Sequence, residues 1–71
     1  MNNGQRRRYV FRIREKLDPH WGSRFSGLEM RHEDGGTVFA GELADAQALH
    51  GVLTAFNNLG LCLISVCEDL G

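Results

Sequence analysis

The chain has 71 residues with eight Lys and Arg against nine Asp and Glu, a net charge of −1. That length holds one domain, near the lower limit at which a hydrophobic core suffices without disulfides, a metal or oligomerisation. The balanced charge argues against a domain that grips nucleic acid through its phosphates, which would carry a basic excess.

The polar, basic start has no apolar segment of a secretory signal behind it, and no run approaches the ~18 apolar residues of a membrane span, so a cytoplasmic location and no membrane partner are expected. Arg6, Arg7 and Arg8 form a basic cluster, read with the preceding residues as a flexible N-terminal tail over 1–8, followed by a single α+β domain over 9–71. From Tyr9 to Leu17, Tyr9, Phe11, Ile13 and Leu17 alternate with Arg8, Arg12, Arg14 and Lys16, the pattern of a half-buried strand whose basic side faces water or an acidic partner. Val10 breaks the polar side. Asp18 then caps a short helix with Pro19 at its first position, Trp21 and Phe25 lie one turn apart, and Gly22, Ser23 and Gly27 keep the helix short.

Leu28, Met30 and His32 alternate with Glu29, Arg31 and Glu33 up to Asp34-Gly35-Gly36, and a second alternating run covers Thr37 to Leu43, which together predict a hairpin. Gly41 within the second strand marks a bulge or the close approach of another backbone or a bulky ring. Asp45 is placed to cap the one substantial helix, where Leu49, Val52, Leu53 and Phe56 recur at helical spacing, Leu59 closes the stripe and Gly60 ends it in a left-handed turn. Leu61 to Cys67 reads as a nearly continuous apolar strand, expected to be covered on both sides. Cys62 and Cys67 lie five residues apart on that strand, about 16 Å and beyond disulfide reach, and are expected to be reduced and buried.

Strand, short helix, strand, strand, helix, strand is the order of a ferredoxin-like split βαββαβ fold. The ten residues from Asp18 to Gly27 are short for a parallel crossover, so a meander, βββαβ with the first three strands paired in order and one long helix across them, is the alternative. One amphipathic helix shields part of one face of a four-stranded sheet. Val10, Val38 and Ala40 on the far side, and both sides of the last strand, then imply an apolar surface that a two-fold homodimer or a protein partner would bury through the sheet face or the last strand's edge.

Chemistry finds little purchase. His20, His32 and His50 sit on different elements, and Cys62 with Cys67 lacks metal-ligand spacing, so neither metal nor cofactor is expected. No nucleophile with an adjacent base, paired carboxylates or phosphate-cradling glycine loop appears, so the chain is not expected to be an enzyme. A nucleic-acid reading would need Tyr9, Phe11 and Phe39 as stacking platforms, and these are equally the core of the first strand and its neighbour. The residues that folding explains least are His20, Trp21 and Arg24 on the first loop, Arg12 and Arg14 on the first strand, and His50 and Gly51 on the helix. They form the candidate interaction or ligand set.

Leu17-Asp18-Pro19-His20-Trp21, Phe25, Gly27-Leu28, Gly36-Thr37, Gly41, Asp45, Ala48-Leu49-His50-Gly51, Leu59-Gly60-Leu61 and Ile64-Ser65-Val66 together resemble a group of short, stand-alone, uncharacterised bacterial proteins. The likeness runs from Tyr9 to Val66 and implies a complete single-domain protein without naming an activity. Ala46-Gln47 stands in reverse order to that pattern, and Phe25 replaces a common tryptophan. The element order is also similar to ACT-type regulatory modules, which pair side by side and hold small ligands at their interfaces; the analogy implies a small-ligand sensor as the alternative to a bare association module.

Overall fold

The computed structural model describes residues 7–25 and 27–69. It is a small α+β unit: a four-stranded antiparallel sheet with one α-helix and a short 3₁₀ helix. The strands are β1 (Arg7–Ile13), β2 (Glu29–Glu33), β3 (Gly36–Leu43) and β4 (Leu63–Asp69), and the helices are η1 (Pro19–Arg24) and α1 (Ala46–Asn58). In space the strands run β2-β3-β1-β4.

Local chemistry accounts for the elements. Asp34 and Gly35, with φ of 52° and 80°, form the two-residue turn between β2 and β3, where paired left-handed residues match the twist of the strands. Asp18 starts η1 by accepting the His20 N–H, with Pro19 preset for the first position. Asp45 starts α1 by accepting the Ala48 N–H at 2.9 Å. At the other end the Gly60 N–H donates to the Asn57 carbonyl and the Leu61 N–H to the Phe56 carbonyl, a Schellman closure that turns the chain toward β4.

β1 pairs with β3 and β4, not with β2, so the meander alternative is not the arrangement. Both β1 and β2 are antiparallel to β3, so they run parallel to each other with β3 between them; the connection spans residues 14–28. That connection is longer than the sequence reading allowed because β1 stops at Ile13 instead of continuing to Leu17. The cause is Thr37. Its buried Oγ1 accepts the Leu17 N–H at 2.8 Å, and its hydroxyl donates to the Glu15 carbonyl at 2.7 Å, which folds residues 15–17 over the start of β3. The His32 ring donates Nε2–H to the Leu17 carbonyl, fixing the tautomer. Leu17 still reaches the core, though from the connection. Thr37→Val, which keeps the shape and removes the hydroxyl, is expected to cost about 1–3 kcal/mol by stranding the Leu17 N–H; urea unfolding at fixed protein concentration checks this.

The tail expected over 1–8 is corrected at its end, since Arg7 and Arg8 belong to β1; residues 1–6 lie outside the described part. The core lies between the sheet and the helices. Phe11, Ile13, Leu17, Phe25, Leu28, Phe39 and Phe56 form one buried cluster. Phe56 from α1 meets Phe11 of β1, Phe39 of β3 and Phe25 with ring centroids 5.5, 5.4 and 5.0 Å apart, so α1 is centred over the two middle strands.

Candidate functional site

The opposite face of the sheet is not the bare apolar surface expected from Val10, Val38 and Ala40. Val38 and Ala40 are each 2% exposed. Val38 lies in the ladder between Arg12 and Arg31, and both guanidinium groups converge on Glu33, Arg12 Nη1 to Oε1 at 3.3 Å and Arg31 Nη2 to Oε2 at 2.9 Å. Ala40 lies between Val10 and Glu29, and Arg8 reaches both Glu29 (3.7 Å) and Asp69 (3.4 Å), so its side chain ties one edge of the sheet to the other. Exposed ion pairs such as these contribute little energy each. Their alkyl stems nevertheless roof the small apolar floor. The sheet face is thereby removed as an apolar docking surface, and Arg12 is accounted for as part of its roof.

The remaining candidate residues fall in two further places. On η1, His20 is highly exposed and its ring lies 3.2 Å from the Asp18 carboxylate. The His20 backbone N–H, and secondarily its ring, hold the Asp18 carboxyl below the usual carboxylate range. This contribution to the turn is complete above the ordinary carboxylate pKa and fades as pH falls through the lowered value. Trp21 is half-buried against the core, and the Arg24 guanidinium stands 5.3 Å from its ring centre. With Phe25 buried beneath, 5.0 Å from Phe39, this stretch acts as a lid on the core. On α1, His50 and Gly51 are exposed, and a Cβ at Gly51 would touch nothing within 4 Å. Arg14 is exposed just beyond β1. The set therefore does not converge on one site.

A concavity of about 480 Å³ opens between η1 and the free edge of β2, lined by Pro19, Gly22, Met30, Arg31 and His32. Alternation in β2 placed Met30 and His32 on the core side, but their meeting with η1 depends on the fold. Among the described residues no group of three or more His, Cys, Asp or Glu is arranged to hold a metal ion, and no helix is long and apolar enough to cross a membrane. Of the aromatic side chains named as stacking platforms, Phe11 and Phe39 are fully buried under α1, and Tyr9 is partly buried against the same core.

β4 lies where the apolar run predicts a strand, but it is not covered. The strand expected to be covered on both sides is exposed along most of its length, and Cys62 and Cys67, expected to be buried, are free and exposed. Leu63, Ile64 and Val66 on β4 and Leu59 at the end of α1 are 36, 62, 39 and 39% exposed. The reason is geometric: α1 sits over β1 and β3, and β4 lies beyond it at the sheet edge. A bulge opposite Arg12 and Ile13 leaves Ile64 unpaired and projecting, which also breaks the alternation that would place Leu63 beside Cys67. At its start β4 is held by the Arg14 N–H to the Cys62 carbonyl and the Cys62 N–H to Glu15 Oε1, both 2.9 Å. At its end it is held by Arg7 to Glu68 at 2.7 Å.

A sequence signal for this surface did exist. No Asp, Glu, Lys or Arg occurs between Asp45 and Glu68, so all eight cationic and nine acidic side chains lie outside the segment that forms α1 and most of β4. A helix that presents one face to water ordinarily carries charge there.

Residues 8–67 match the model of a family described as a domain of unknown function, DUF8691. No curated protein and no solved structure matches the chain.

Proposed function

Because the chain belongs to the DUF8691 family, whose description assigns no activity, we propose from its geometry that it is a non-catalytic association module that forms a homodimer through the rim made by β4 and the end of α1. The observation that carries this reading is that Leu59, Leu63, Ile64 and Val66, the large apolar side chains left exposed among the described residues, all lie in the one stretch that runs from the end of α1 into the outer strand β4. A domain of this size has little core to spare, and burying that rim offsets the shortage. We read the fold as a ferredoxin-like split βαββαβ unit in which η1 stands where a first helix would be. The strand order β2-β3-β1-β4, with each parallel pair separated by an antiparallel strand, supports this reading.

Sedimentation velocity over the micromolar range tests the association. The unaltered chain is expected to sediment as a dimer. Val66→Lys and Ile64→Lys, which place a hydrated charge on the edge without touching the core, are expected to weaken it about tenfold or more, ~1.4 kcal/mol per decade, with unchanged circular dichroism. A chain that stays monomeric throughout that range would refute the reading.

A further inference from the structure

We infer that the second copy joins edge to edge, its β4 antiparallel to this one across a two-fold axis, so that the two sheets continue into one of eight strands. This rests on the association reading above and adds its geometry.

Three observations carry it. β4 pairs with β1 on one side and is the outer strand of the sheet, so its other side presents a row of backbone donors and acceptors. From Leu63 to Cys67 the strand contains no proline and no charged residue, two of the devices that ordinarily guard an edge, and the bulge, a third, is confined to Ile64. The lack of charge from Ala46 to Cys67 favours a copy of the same chain as the occupant. Around a two-fold axis each residue meets its own image or that of a near neighbour, so any charge close to the axis would face a like charge. A surface without formal charge is self-complementary in this sense. The two acidic residues at the end of the strand, Glu68 and Asp69, are held by Arg7 and Arg8 of the same chain.

The axis is bounded as well. Side-by-side antiparallel strands related by a two-fold axis keep their faces only when the axis is perpendicular to the sheet and passes through a residue position, which places both α1 helices on the same side. Moving the axis beyond Cys67 brings the Glu68 and Asp69 carboxylates of the two copies together. Moving it before Ser65 centres the contact on the bulge at Ile64. The axis therefore falls within Ser65–Cys67.

Single-cysteine variants read this directly. With Cys62→Ser throughout, one variant keeps Cys67, and two others carry Ser65→Cys or Val66→Cys together with Cys67→Ser. On the axis a residue faces its own copy about 5 Å away; one position off, the two copies are about 8 Å apart, outside disulfide reach. Under mild oxidation one variant is expected to cross-link at least tenfold faster than the other two. Isotope-filtered NOEs between β4 protons of differently labelled copies check the same pairing in the unaltered chain. A sedimenting dimer in which none of the three cross-links selectively and no β4-to-β4 NOE appears would overturn edge pairing while leaving association intact. A monomer would remove the association reading itself, and this inference with it.

Discussion

Phe56→Ala is expected to destabilise the domain by about 3–5 kcal/mol, the range for deleting a buried aromatic ring. Phe56 is 1% exposed and is the one fully buried side chain that α1 contributes to the core. It touches Phe11, Phe25 and Phe39 together, so its loss opens a cavity on every side of the cluster and leaves the helix without its anchor. A small domain has total stability of similar size. The variant should therefore be largely unfolded at 25 °C by near-ultraviolet circular dichroism and by urea titration. Phe56→Leu, which keeps most of the volume, should remain folded with a smaller loss. Because dimerisation would add to apparent stability, all variants are compared at one protomer concentration.

Gly41→Ala is expected to cost about 3 kcal/mol by overpacking, although it adds a single methyl group. A Cβ there would lie 2.5 Å from the Gly27 carbonyl oxygen, 2.8 Å from Leu28 Cδ2 and 3.2 Å from Leu28 Cα. The obstacle is mainly backbone, so relief requires the 27–28 segment to lift from the sheet and Leu28 to leave the core. Gly51→Ala is the contrast. That site is exposed, mid-helix and open, and alanine there should stabilise by up to about 1 kcal/mol through helix propensity. Urea midpoints moving in opposite directions for the two variants would separate steric need from simple glycine content. A neutral Gly41→Ala would mean that the strand and the 27–28 segment are not in contact.

Much of the local structure was legible. Asp18, Pro19, Asp34-Gly35, Asp45 and Gly60 punctuate the chain where the elements begin and end, because capping and turn chemistry act over a few residues. Of the alternatives open at Gly41, a bulge or the close approach of another backbone or a bulky ring, the structure has the backbone. The candidate site was less legible. Trp21 beside Arg24, and His20 beside Asp18, are local contacts, so the sequence brought them together correctly. Their separation from Arg12, Arg14, His50 and Gly51 follows from the fold, which puts these on the far face of the sheet, just beyond its strand and on the helix.

Residue order alone determined roughly where the strands and helices lie and which side of β1 and of α1 turns inward, since period-two and period-3.6 patterns are properties of neighbours along the chain. It did not determine which strand would stand at the edge, that Arg12 and Arg31 would close over Val38 through Glu33, or that Leu63, Ile64 and Val66 would be left outside. Those outcomes depend on pairing between residues far apart in sequence and on where one thirteen-residue helix comes to rest over four strands. Burial is a property of the assembled layers, and an apolar strand is covered only if another element lies over it.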